Sequence, residues 1–166
     1  MMNLTFAPKG VLQIDDARLV FKNFRGEGSK YNREGDRNFA VVIETEDQYS
    51  ALLADVNKFG DSWNVRVKEP RDEGDTPFMY LPVKVKFNDK GPTVKLIAGR
   101  SVTYLSEDSV AILDRVDILQ VNIDIRPYDG EVNGKTYRAA YLKGIEVIQD
   151  IDRFADVGYD DDLEAE

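Results

Sequence analysis

From Arg18 to Phe39 the chain sets six cations, Arg18, Lys22, Arg25, Lys30, Arg33 and Arg37, among the aromatics Phe21, Phe24, Tyr31 and Phe39, with only three acids between them. A second concentration starts at Trp63 and runs through Arg66, Lys68, Arg71, Phe78, Tyr80, Lys84, Lys86, Lys90, Lys95 and Arg100. From Pro82 to Tyr104 there are five bases against one acid, Asp89. Cations spaced along a chain can follow phosphates, and aromatics between them offer faces for unstacked bases. Sequence-independent binding of a single nucleic-acid strand needs both. The same alternation also arises in any half-buried sheet that turns aromatics inward and Lys or Arg outward. By residue chemistry, the candidate phosphate contacts are Arg25, Lys30, Arg33, Arg37, Arg66, Lys68, Lys84 and Lys86. The candidate base contacts are Tyr31, Trp63, Phe78 and Tyr80. Trp63, the only tryptophan, suits a core position equally well, with its ring buried and its N–H satisfied.

Other chemistry is poorly provided for. The chain has no histidine and no cysteine, so it lacks the commonest general base, the usual transition-metal ligands and the most reactive nucleophile. Carboxylates remain, at Asp15-Asp16, at Asp72-Glu73-Asp75 and at Asp124 with Asp129 and Glu131. Hard cations take oxygen ligands, but acids beside Gly or Pro are more often solvated turn residues. The glycines of Arg25-Gly26-Glu27-Gly28 lack the third glycine and following helix of a dinucleotide site. No enzyme, cofactor or metal site is expected.

The net charge of −9 argues at first against a nucleic-acid partner. Its distribution reverses that. Residues 156–166, DVGYDDDLEAE, hold six acids and no base, which leaves 25 acids and 22 bases, a net of −3, in residues 1–155. A segment so poor in apolar surface cannot join a core. The expectation is a domain over 1–155 and a disordered tail over 156–166. The tail reads as a protein-interaction segment using Asp156, Tyr159, Asp160, Asp161, Asp162, Leu163, Glu164 and Glu166, or else as a solubility device. Met1 to Phe6 shows no basic region followed by an apolar stretch, and no apolar run approaches the roughly 20 residues that span a bilayer. A soluble cytoplasmic protein is expected.

The elements that must position these residues read as mainly β. Val11 to Phe24 is predicted as one strand, bulged at Asp15-Asp16, and Asn38 to Ile43 as a buried strand, joined by a polar, basic loop punctuated by Gly26, Gly28 and Gly35. Thr45 with Gln48 resembles a capping box, and Tyr49, Leu52, Leu53, Val56 and Phe59 follow at helical spacing to Gly60. Further strands are predicted at Trp63 to Lys68, Met79 to Phe87 and Thr93 to Ile97, and a short helix capped by the Ser106 hydroxyl. Val116 to Ile125 and Tyr137 to Ile148 are predicted as the arms of a long hairpin, separated by a connection that holds Arg126-Pro127-Tyr128-Asp129-Gly130 and Asn133-Gly134. Short strands, one or two helices and no βαβ alternation point to a small barrel or sandwich, of which an oligonucleotide-binding (OB) barrel of antiparallel strands is the best match. An exposed sheet edge in such a fold offers a route to a homodimer.

The stretches ARLVFKNFRGEGSKYNREGDRNFAVVIE (17 to 44), WNVRVKEPRDEGDTPFMYLPVKVKF (63 to 87) and IDIRPYDGEVNGKTYRAAYL (123 to 142) resemble phage single-stranded DNA-binding proteins. The likeness covers most of residues 10 to 150. The acidic tail resembles those of bacterial and T7-type counterparts, although it ends Leu163-Glu164-Ala165-Glu166 without their terminal Phe. The resemblance implies an OB-fold that coats single-stranded DNA during phage replication or recombination, while the tail meets a polymerase, helicase or recombinase. A rival reading is a DNA mimic that inhibits a host nuclease or CRISPR effector. A mimic would spread its carboxylates over the folded surface, whereas here the body keeps all 22 bases.

Overall fold

The structure, a computed structural model, describes residues 1–151. The expected tail, residues 156–166, lies outside the described residues. Among the described residues ten strands and one α-helix follow in the order β1 (Asn3–Phe6), β2 (Leu12–Asp15), β3 (Leu19–Asn23), β4 (Arg37–Ile43), α1 (Glu46–Ala54), β5 (Arg66–Lys68), β6 (Phe78–Val85), β7 (Thr93–Ala98), β8 (Ser101–Leu105), β9 (Ile118–Val132) and β10 (Lys135–Gln149). No helix among the described residues is long and apolar enough to cross a membrane.

Alternation decides the faces. On β6, Met79, Leu81, Val83 and Val85 are buried between Phe78, Tyr80, Pro82 and Lys84, and on β9 Val121, Ile123 and Ile125 alternate with Asn122, Asp124 and Arg126. These inward residues join Leu12 and Ile14 of β2, Phe39, Val41 and Ile43 of β4, Val94 and Leu96 of β7, and Ala140, Leu142, Ile145 and Val147 of β10 in one core. A single core fed from so many strands requires the sheet to wrap on itself. The predicted mainly β architecture is present.

The ladder is nevertheless open and mixed, where the sequence led to an antiparallel barrel. Its path is β1-β2-β9-β10-β6-β4-β3, with β5 on β6, β7 on β10 and β8 on β7. β10 runs parallel to β6 at Tyr141 opposite Lys84, and then parallel to β7 from Gly144 opposite Thr93 onward. The change of partner coincides with a register shift against β9 between Leu142 and Gly144, where an extra residue lets a strand re-aim.

Several boundaries also differ. The predicted strand over 11–24 is two strands, because Asp16 takes φ 55° and its amide donates to Asn122 Oδ1 at 3.0 Å. The Ala17 amide then bonds the Val121 carbonyl, so the chain bends across β9 before joining β4. The helix starts as predicted, with Thr45 Oγ1 accepting from the Gln48 amide and Gln48 Oε1 accepting from the Thr45 amide. It stops at Ala54 rather than Gly60. Asn57 Oδ1 takes the amides of Phe59 and Asp61, and such a local side-chain turn competes with further helix. Val56 and Phe59 are accordingly exposed. The helix predicted at Ser106 is a 3-10 turn over Val110–Asp114, and the hydroxyl that accepts a backbone amide there is that of Ser109, from Ser106 N. The hairpin of β9 and β10 is longer than predicted, because Arg126 to Gly130 is strand rather than connection. Asn133 and Gly134, at φ 51° and 81°, make its two-residue turn.

Candidate nucleic-acid interface

Residues directly opposite each other in a ladder point to the same face. Lys84 of β6 stands opposite Tyr141 of β10, Tyr141 opposite Arg126 of β9, Ala139 opposite Tyr128, and Tyr137 opposite Gly130. Since Val83, Val85, Ala140 and Leu142 point into the core, these residues form a continuous row on the outer face. Lys84 Nζ lies 5.9 Å and Arg126 Cζ 5.0 Å from the Tyr141 ring centroid. Tyr128 meets Tyr141 at 5.6 Å and Tyr137 at 6.2 Å. A side chain at Gly130 would place its Cβ 2.6 Å from the tip of the Tyr137 ring, so glycine there is what lets the two tyrosines close over β9.

Bases gather on both sides of this row. One hollow is lined by Asn32, Arg33, Arg37, Lys84, Lys86 and Tyr141. Another is lined by Lys86, Lys90, Arg126 and Lys143 with Pro92 and Leu142. Arg37 is the least available of these cations, because its Nη1 donates to Glu107 at 2.9 Å and its side chain is 20% exposed. Lys84 and Lys86 are exposed.

The loop between β3 and β4 overhangs this face and is internally tied. Asn32 Nδ2 donates to the carbonyls of Glu27 and Asp36, the Gly35 amide to that of Gly26, and the Gly28 amide to Glu34 Oε2 at 2.6 Å. Asp114 fixes its root through the amides of Phe24 and Arg25 at 2.8 and 3.0 Å. At its tip Tyr31 is 86% exposed, with Lys30 Nζ 5.4 Å from the ring centroid. Arg25 pairs with Glu27 at 3.6 Å and Arg33 with Asp36 at 3.4 Å. Exposed pairs of this kind are worth little, so both cations are readily re-partnered.

The other end of β6 carries Phe78 and Tyr80, with rings 5.4 Å apart. Lys68 stands opposite Phe78 and Arg66 opposite Tyr80 on β5, both exposed. Phe21 of β3 reaches the same place, 5.4 Å from Tyr80 and 6.2 Å from Phe78, edge to face. Its φ of 54° lies in the left-handed region, which for a bulky residue costs of order 1 to 3 kcal/mol.

Trp63, a base-stacking candidate by residue type, is not on this surface. It is 1% exposed in the core, and its Nε1 donates to Asp55 Oδ2 at 2.8 Å. The Arg138 guanidinium lies 5.3 Å from its ring centroid and closes with Asp129 at 2.8 Å. Conversely, the candidate contacts read from the sequence left out Arg126, Tyr128, Tyr137, Tyr141 and Lys143, and also Phe21, although it stands among the aromatics of the first basic stretch. The signal for four of them was present: counting back from a turn at Asn133-Gly134 pairs Tyr137 with Gly130 and Tyr141 with Arg126, and sets Tyr128 between them on the same face.

A family model described as "Putative phage ssDNA-binding domain" matches residues 1–164. Among solved structures, the fold is similar to the single-stranded DNA-binding protein from bacteriophage Enc34 in complex with ssDNA, at a TM-score of 0.54 and 15% identity over 92% of this chain and 93% of that one. It is similar to a C-terminal truncation of the Enc34 protein at 0.53 and 15% identity, covering 92% and 93%. A further structure of the Enc34 protein gives 0.53 and 16% identity, covering 94% and 90%. At these identities the likeness is one of fold. None of the curated proteins compared with the chain matches it.

Proposed function

The chain belongs to the phage single-stranded DNA-binding domain family, and from that premise we propose that it binds single-stranded DNA across the outer face of β6, β10 and β9, beneath the loop of residues 25–36. The observation that carries this reading is the row Lys84, Tyr141, Arg126 and Tyr128, in which cations and aromatic faces alternate across three strands. Lys86, Lys90, Lys143 and Arg33 flank that row and would neutralise phosphates, releasing counterions. Tyr31, 86% exposed at the tip of the tied loop, would stack on a base. Nothing in such a contact reads a base edge, so binding without strong sequence preference follows. Arg66, Lys68, Phe78 and Tyr80 extend the same face, and with the loop cations Arg25 and Lys30 they would be its outer contacts.

The protein then coats DNA exposed in phage replication or recombination, and the tail of residues 156–166 meets a replication protein. The tail's composition and the resemblance of the whole chain to phage single-strand binders support that role.

Fluorescence anisotropy of a labelled oligo-dT, at low and moderate salt and against a duplex of equal length, tests the central claim. Tight, salt-sensitive binding that prefers the single strand is expected, weakened by Tyr141→Ala and by Lys84→Gln. Absence of binding by the full chain would overturn it.

A further inference from the structure

Four non-glycine residues among those described have a left-handed backbone: Lys9, Asp16, Phe21 and Asn133. Three of them are polar and sit at turns or bends. Phe21 sits inside a strand. The pairing of β3 with β4 steps from Val20 opposite Ala40 to Asn23 opposite Asn38, three residues against two, so β3 carries one extra residue there. A bulge that puts a residue in this conformation normally puts glycine there. A phenylalanine is tolerated where its ring is gripped, and the edge contacts to Phe78 and Tyr80 provide the grip. They do not bury it: the residue is 63% exposed. Core packing therefore does not account for its place, and the ring is presented to solvent.

The surroundings say what it is presented to. Lys68 and Arg66 lie opposite Phe78 and Tyr80 across the ladder, on the same face and exposed. The cluster lies on the same outer face as Lys84, with Tyr80 about 13 Å and Phe78 about 20 Å from it along β6 at the usual rise per residue of a strand. An exposed aromatic flanked by cations on that face suits an unstacked base and its neighbouring phosphates.

We infer that Phe21 is a base-stacking platform for single-stranded DNA, buttressed by Phe78 and Tyr80 and flanked by Arg66 and Lys68, at the β3 end of the binding face. The inference rests on the single-strand reading above. Phe78 and Tyr80 thereby become supports for the stacking ring rather than the primary stacking surfaces.

The test compares the full chain with Phe21→Ala, Phe21→Gly and Tyr141→Ala on two labelled oligomers of equal length, oligo-dT and an abasic strand that keeps the phosphates. Both Phe21 variants should weaken oligo-dT binding about tenfold, the order expected for one lost base stack, and leave binding to the abasic strand unchanged. Phe21→Gly should unfold at a higher temperature than Phe21→Ala, since glycine is at ease at this φ. An equal loss of affinity in the two then cannot come from stability. Wild-type affinity in both Phe21 variants, with Tyr141→Ala weakened, would overturn the platform and leave the single-strand reading standing. Equal weakening on the abasic strand would also overturn it, because the lost contact would not be with a base. Failure of the unaltered protein to bind either strand would remove the functional reading and the platform with it.

Discussion

Arg138 stands between two carboxylates and an indole. Its side chain is 8% exposed; Nε donates to Asp129 Oδ1 at 2.8 Å, Nη1 to the Asp55 carbonyl at 3.4 Å, and the guanidinium lies against the Trp63 ring. A guanidinium taken this far out of water is tolerable only while those partners stay in place, and removing it leaves Asp129 without its donor. Arg138→Met should cost about 3 kcal/mol in a denaturant titration, the lower end for a broken charge pair because Asp129 is partly solvated. The hydrogen bond from Arg138 also holds the Asp129 carboxyl below its ordinary value of 3.8, against the opposing effect of burial. A depressed carboxyl stabilises the fold above the unfolded pKa, and that contribution is lost as pH falls through the folded one. Stability should therefore decline below about pH 4, and Asp129→Asn should flatten that acid limb in unfolding titrations run from pH 7 to pH 2. At this scale the sequence told types but not places. The exposure of Lys84 in β6 and of Lys86 just past its end was legible because a lysine in an alternating apolar run nearly always points to water. Trp63 was not, because an indole serves a core or a base equally well, and what decides is its burial at 1% exposure, with its N–H satisfied by the Asp55 carboxylate at 2.8 Å.

The hairpin of β9 and β10 is the element that builds the face, and Gly130 is its most exacting position. Gly130→Ala would drive a methyl into the end of the Tyr137 ring and within 2.8 Å of Tyr128. Both rings can swing outward, so the cost in stability should stay below about 1 kcal/mol. The row they complete would be broken, and affinity for oligo-dT should fall several-fold in anisotropy titrations, against no change for an alanine at Gly134, which lies in open space at the turn. The latter should instead lose stability, since its φ of 81° disfavours any side chain. Elements with strong local signals were readable from the chain alone: the capped start of α1, the alternation of β6, and the Asn133-Gly134 turn. β1 was not, because Asn3–Phe6 shows no clean alternation and is a strand only by pairing with β2. β8 was not, because Ser101–Leu105 buries almost nothing and is held by β7 alone. The parallel pairing of β10 with β7 joins segments some fifty residues apart, and periodicity carries no information about which strands meet.

Taken as a whole the molecule is an anion proposed to bind a polyanion, and its affinity should depend on how charge is divided along the chain. If Lys84, Lys86, Arg126 and Lys143 each neutralise a phosphate, the logarithm of affinity falls linearly with the logarithm of salt. Replacing any one by glutamine should make that slope shallower by about 0.7, the single-strand value per phosphate. Arg37→Gln should change it less, because its charge is already met by Glu107 at 2.9 Å. The acids of residues 156–166 act on the same titration from the other side. A chain ending at Ala155 loses six of 31 acids and no base, so its net charge moves from −9 to −3 while every base of the binding face is kept. Repulsion between those acids and DNA is long-ranged only while salt is low, with a screening length of roughly 30 Å at 0.01 M and 3 Å at 1 M. The shortened protein should therefore bind oligo-dT more tightly than the full chain in dilute buffer, and the two curves should converge as salt rises. Equal gains at both ends of the salt range would mean that the segment opposes DNA by occupying the face rather than by its charge.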